Sequence, residues 1–177
     1  MRSPVLIVAA LAALAVAGCG GAGGAKEGTP SANSPTQATP APAPAAPTKP
    51  TGALAHRPKV QVPSGPAPKT LQVKDLVKGK GAAAKSGDNL SVQYVGVLYK
   101  NGKEFDSSWS RGAQPFDFTL GTGGVIPGWD KGVPGMRVGG RRELIIPAKL
   151  AYGAQGSPPD IGPNEPLVFV IDLAGIR

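Results

Sequence analysis

Val125-Ile-Pro-Gly-Trp129 and, further on, Ala151-Tyr-Gly153 set large side chains among glycines and a proline, in a chain with only 5% aromatic residues. Such segments can line an apolar pocket while leaving backbone N–H groups free at its rim. The usual reactive constellations are missing from Thr70 to Arg177. That stretch has no histidine, no cysteine and no Gly-x-Ser-x-Gly, which excludes triad hydrolysis. Asp106, Asp117, Asp130 and Asp160 have no spacing that would force two carboxylates together. Gly121-Thr-Gly-Gly124 lacks the Lys-Ser/Thr ending and the long following helix of a phosphate loop. No metal site is expected for want of ligands, and no cofactor. A pocket without nucleophile, acid or metal points to binding an apolar chain segment, and to chemistry that breaks no covalent bond.

The elements that must hold this pocket are mostly strands. Leu71 to Val77 alternates in part, and Leu90-Ser-Val-Gln-Tyr-Val-Gly-Val-Leu-Tyr99 puts Leu90, Val92 and Tyr94 on one face at period two. Asn101-Gly102 is a hairpin signal with Lys103 to Asp106 as the return strand. Pro115 to Leu120 alternates again, with Phe116 and Phe118 on one face, and Arg141 to Ile146 follows. Leu167 to Leu173 is almost wholly apolar and reads as a central strand covered on both sides. Only Ile126 to Val133 suits a helix, with Pro127 in its first turn and Gly128 and Gly132 weakening it. Tyr99 reads as sheet packing, Trp109 as partly exposed loop, and Arg141-Arg142 as a solvated strand edge. The expected fold is α+β: a five- to six-stranded antiparallel sheet around one short helix.

The N-terminal part is of another kind. Met1 to Pro4 carries one positive charge, Val5 to Ala17 is a thirteen-residue apolar run, and Val16-Ala-Gly-Cys19 follows. The run is short of the ~18 residues that read as a membrane span, and the pattern is that of an export signal over residues 1–18. The small-small-Cys ending resembles a bacterial lipobox, which implies lipidation of Cys19. The alternative is an ordinary signal peptide with an incidental cysteine, cut near Ala17 or Gly18. Cys19 is the only cysteine, so no intramolecular disulfide can form, and lipidation gives the exported thiol a purpose. Residues 19–69 read as a disordered Ala/Pro/Gly-rich spacer holding eleven of the 20 prolines and the lone His56. The net charge of +8 is dispersed without a long basic run, so nucleic acid is not an expected partner.

The domain from 70 to 177 holds, in order, Tyr94-Val-Gly96, Asn101-Gly-Lys-Glu-Phe-Asp-Ser-Ser108, Pro115-Phe-Asp-Phe118, Val125-Ile-Pro-Gly-Trp129, Gly135-Met-Arg-Val-Gly139, Ala151-Tyr-Gly153 and Leu167-Val-Phe169. This ordered set resembles that of the FKBP-type peptidyl-prolyl cis-trans isomerases. It implies a proline-ring pocket with Trp129 as floor and Tyr94, Phe105, Phe116 and Phe169 as walls. Val125 and Ile126 complete it, the Ile126 N–H and the Tyr152 hydroxyl would donate to substrate carbonyls, and Asp106 would set a polar edge held by Arg111 or Tyr94. Arg111 and Ile161 would add ligand contacts. Ser157 and Gly162 replace residues frequent elsewhere in the family, in the loop from Gly156 to Pro166 that would overhang the pocket.

Turning an Xaa–Pro bond crosses a barrier of ~18–20 kcal/mol because twisting removes amide resonance. A dry pocket shaped for the twisted amide needs neither acid nor base. The sequence therefore reads as a peptidyl-prolyl isomerase that accelerates folding of exported proteins. It would be a monomer, lipid-anchored outside the cytoplasm on the outer face of the plasma membrane, or on the periplasmic side where there are two membranes. Its partners would be proline-containing unfolded polypeptides and, through the family pocket, the macrolides tacrolimus and rapamycin. The rival reading is a proline-segment binding module or holdase with little turnover.

Overall fold

The computed structural model describes residues 52–177. Six strands and one helix follow in chain order: β1 (Gln72–Val77), β2 (Asn89–Leu98), β3 (Glu104–Ser107), β4 (Phe116–Thr119), α1 (Pro127–Gly132), β5 (Arg141–Ile146) and β6 (Leu167–Ile176). All pairings are antiparallel and the sheet order is β1-β5-β6-β2-β3. β4 shares an edge of β2 with β3, pairing Asn89–Val92 while β3 pairs Val95–Val97. The expected α+β architecture is thus present, with all six strands. Among the described residues no helix is long and apolar enough to cross a membrane.

Period-two alternation sends the side chains of β2 and β6 to two separate apolar layers. Leu90, Val92, Tyr94 and Leu98 join Leu144, Ile146, Phe169 and Ile171 on the concave face, which receives Trp129, Val133 and Met136 from α1 and the turn after it. Val95, Val97, Tyr99, Ile145 and Val168 form a smaller layer on the outer face. β6 is buried along nearly its whole length, as a central apolar strand should be.

α1 starts where its proline dictates. Ile126 is the N-cap and Pro127 the first helical residue, where its missing N–H costs nothing. Its two glycines, which propensity alone marks as weak points, meet the sheet. A Cβ on Gly128 would lie 2.5 Å from Ile146 Cγ2, and one on Gly132 would lie 2.7 Å from Leu144 Cδ2. Close helix–sheet approach therefore offsets the propensity cost of about 1 kcal/mol per glycine.

The expected hairpin at Asn101-Gly102 forms, with the Gly102 N–H donating to the Leu98 carbonyl and the Asn101 side chain accepting from the Lys103 N–H. Two other sequence expectations are corrected. Arg141 and Arg142 are not a solvated edge. Arg141 forms a two-pronged pair with Asp172 at 2.6 and 2.7 Å. Arg142 is buried, bonds Asp75 at 2.6 Å and donates to the Gly132 carbonyl at 2.9 Å, neutralising the C-terminal end of α1. The spacer expected to run to Lys69 ends earlier. Leu54 is buried, and Val60, Val62 and Ala67 pack on the outer apolar layer beside Trp109. Cys19 and the rest of the export and spacer segment up to Thr51 lie outside the described residues.

Candidate functional site

At one end of the concave face the packing between α1 and the sheet is incomplete, and aromatic rings line the opening. The cavity is about 430 Å³ and is lined by Tyr94, Phe105, Asp106, Phe116, Gly124, Val125, Ile126, Trp129, Tyr152 and Phe169. That volume lies in the range of sites that take small ligands. Trp129, in the first turn of α1, is buried at the bottom. Its ring meets those of Tyr94 and Phe169 edge-on, with centroids 5.3 Å away in both cases, and that of Phe118 at 5.5 Å. Phe105 stands edge-on to Phe169 at 5.5 Å and Phe116 edge-on to Tyr94 at 5.9 Å. Edge-to-face contacts of this kind hold ring orientation as well as burying area.

A bulge explains how β3 serves the cavity twice. Gly96 pairs with Asp106, but Val97 pairs with Glu104, so Phe105 is the extra residue. The irregularity lets two consecutive side chains, Phe105 and Asp106, both reach the cavity, which strict alternation forbids. Gly96 makes the room, since a Cβ there would lie 2.7 Å from Phe105 Cζ and 2.8 Å from Phe169 Cε1.

The polar rim is a closed set of three side chains. The Tyr94 hydroxyl donates to Asp106 at 2.5 Å and accepts from Arg111 at 2.7 Å, while Arg111 also pairs with the other Asp106 oxygen. Burial, then the hydrogen bond to Asp106, pushes the Tyr94 hydroxyl up to about 12, so it stays protonated as a donor. Its bonds to Tyr94 and Asp106 hold Arg111 further toward the charged form. Tyr152 is half-exposed at the mouth, and burial followed by the Asp106 charge raises its hydroxyl above the ordinary value. Among the described residues nothing accepts from the Ile126 N–H, whose own carbonyl takes the Trp129 N–H at 2.9 Å.

Of the residues expected at the site, Tyr94, Phe105, Asp106, Phe116, Val125, Ile126, Trp129, Tyr152 and Phe169 converge on the cavity. Arg111 sits at the rim, bonded to the Tyr94 hydroxyl. Ile161 does not line the cavity. It is buried in the concave core, and the loop's bridge between Ser157 and Ile161 fixes it there. The sequence reading missed Gly124, and it missed the supports. Gln93 donates to the Ala113 carbonyl at 2.6 Å and accepts from Ser108, whose hydroxyl takes the Tyr94 N–H at 2.9 Å. Asp130 accepts from the Gly121 and Gly123 N–H groups at 2.8 and 3.0 Å, which ties the loop before Val125 to α1. A polar residue inside the alternating run of β2 was the available signal for Gln93.

Residues 80–174 match the family model described as FKBP-type peptidyl-prolyl cis-trans isomerase, more than half of the chain. The chain belongs to this family. It is 53% identical to an FK506-binding protein of Streptomyces anulatus over 68% of this chain and 97% of that one. A probable FK506-binding protein of Corynebacterium glutamicum is 49% identical over 66% and 96% of the two chains. Among solved structures, AtFKBP13 aligns with a TM-score of 0.57 at 41% identity, covering 63% of this chain and 96% of that one. FkpA of Escherichia coli aligns at 0.55 and 44% identity, over 60% of this chain and 48% of its own. The FKBP-type match spans the cavity, the helix, β2 to β5 and β6 as far as Ala174, so the aromatic cup belongs to the isomerase domain itself.

Proposed function

We propose that this FKBP-type isomerase works outside the cytoplasm, tethered by lipid on Cys19, and speeds the folding of exported proteins through the cup over Trp129. The single observation behind the activity is the cavity itself: the rings of Tyr94, Phe105, Phe116, Trp129 and Phe169 line a space of small-ligand size, with Asp106 and Tyr152 also in its lining. In this reading Trp129 is the floor, and Tyr94, Phe105, Phe116 and Phe169 hold the pyrrolidine ring. The Ile126 N–H and the Tyr152 hydroxyl take substrate carbonyls, and Asp106 with Arg111 sets the polar edge. A dry cup disfavours the charge-separated planar amide relative to the twisted one, and shape complementary to the twisted amide adds to this. The same cup would accept tacrolimus or rapamycin, whose cyclic amide mimics proline.

The location rests on the N-terminal sequence, an export signal ending in Val16-Ala-Gly-Cys19 with no second cysteine. A protease-free isomerisation assay of the full chain on short Xaa-Pro peptides tests the activity, and a chain that binds such peptides without turnover would be a holdase instead. Cys19→Ala should release the protein from the membrane fraction or leave it unprocessed. Mass spectrometry of the mature chain should find a diacylglyceryl group on Cys19, and a soluble, unlipidated chain starting elsewhere would end the anchor proposal.

A further inference from the structure

The segment from Leu54 to Ala67 precedes the first strand, yet it crosses the outer face of the sheet behind the pocket rim. Val60, Val62 and Ala67 cover the outer layer, and Trp109 packs against that same layer from the short 3-10 turn Trp109–Arg111. The Tyr99 hydroxyl and one Arg141 N–H reach the carbonyls of Pro66 and His56. The segment also makes one charged contact with the edge strand of the site. Glu104 pairs with Val97, an outer-layer residue, so its side chain leaves β3 on the face away from the cavity. One Glu104 oxygen takes Arg57 of the strap, and the other accepts the Ser110 hydroxyl at 2.7 Å.

We infer that Arg57 is a positioning residue for the polar rim, acting through Glu104. β3 is only four residues long and lies at the sheet edge, where it is paired on one side alone. Its bulge delivers Phe105 and Asp106 to the cavity, and Glu104 is the residue immediately before them. Ser110, on the other Glu104 oxygen, is the neighbour of Arg111, which holds Asp106 and the Tyr94 hydroxyl. The contacts thus run in a ring from strap to Glu104, to the 3-10 turn, to the rim, and back along β3. With Arg57 in place the rim groups keep one geometry before substrate arrives. Without it, β3 and the turn lose their shared anchor on the outer face, and the rim must be ordered by the substrate itself, which weakens binding of the residues flanking proline.

This inference rests on the cup being the isomerase site, so its test includes a readout that does not depend on turnover. In the full chain, Arg57→Ala and Glu104→Gln should each raise KM for Xaa-Pro peptides about three- to fivefold, the scale of one partly exposed ion pair. The kcat and the melting midpoint should stay nearly unchanged, since Arg57 is half-exposed and fills no core. The double variant should match either single one because both break one contact, and Arg57→Lys should recover most of the loss by keeping the charge. The ring signals of Phe105 in NMR spectra of the substrate-free protein should shift in Arg57→Ala. Unchanged KM and unchanged Phe105 signals would overturn the assignment. Additive effects in the double variant, or a KM rise that only follows a falling melting midpoint, would overturn it as well.

Discussion

The two faces of one sheet carry opposite solutions to the same problem. Both are apolar and both are covered, the concave face by α1 and the outer face by the strap and Trp109. On the outer face the cover is an extended segment that follows the sheet, and its neighbours are mainly aliphatic. On the concave face the cover is a six-residue helix, too short to seal the sheet, and rings surround what it leaves open. A site appears where the cover ends and the lining is aromatic, because rings braced edge-to-face keep their places around an empty space. Aliphatic side chains would close it.

Substitutions can break or sharpen this contrast. Trp129→Ala should have the largest effect, abolishing most isomerase activity and costing about 3–5 kcal/mol of stability, the usual scale for a buried aromatic. Peptide turnover and denaturant unfolding measure the two losses, and full activity in a folded variant would remove the tryptophan floor from the site. Ile145→Ala, on β5 and facing the outer layer, should cost about 2–5 kcal/mol of stability. Its kcat/KM per folded molecule should hold, so that one face answers in stability alone and the other in both. Tyr152→Phe removes one hydroxyl at the mouth and should reduce kcat/KM by the equivalent of about 0.5–1.5 kcal/mol, with little change in unfolding.

The smallest effects are expected from pH. The pocket has no histidine or cysteine, and Tyr94 and Tyr152 are both raised above the ordinary tyrosine value. Isomerase rates should therefore be flat between about pH 6 and pH 9, outside the ordinary carboxylate and tyrosine ranges. A bell-shaped profile there would show a titrating group in the chemistry. Stability should respond in acid instead. The hydrogen bond from Arg142 holds the Asp75 carboxyl below its ordinary value of 3.8. Its contribution is full above that value and is lost as pH falls through the lower folded value. Asp75→Asn should flatten the acid limb of the stability curve. On the outer face the sign is reversed: burial raises Asp172, so its carboxyl favours the folded state as pH falls through the interval just above 3.8, and works against it as pH rises.

Much of this molecule was legible in the chain because the signals are local. Alternation in Leu90–Tyr99 and Phe116–Leu120 assigns faces, Pro127 marks a helix start, and Leu167–Leu173, apolar but for Asp172, announces a strand covered on both sides. The ordered family motifs add nine residues that the fold does bring to one cavity. Pairings between distant residues were not legible. The Arg141-Arg142 pair looks like a solvated edge until Asp172 and Asp75 are brought beside it, since burial of a guanidinium depends on a partner that the local sequence does not name. Gly128 and Gly132 look like helix defects until Ile146 and Leu144 lie against them. The bulge at Phe105 depends on the register between two strands, and Leu54–Ala67 is low-complexity sequence until it meets an apolar sheet face. Composition and spacing determined the element types and the short helix, because these follow from residue properties repeated at short range, while the aromatic lining was legible only through the resemblance of the ordered motifs to a family. The open end of the cup, its rim and the strap behind it were decided only in three dimensions, where long-range contacts select which polar groups are paired and which apolar face stays uncovered.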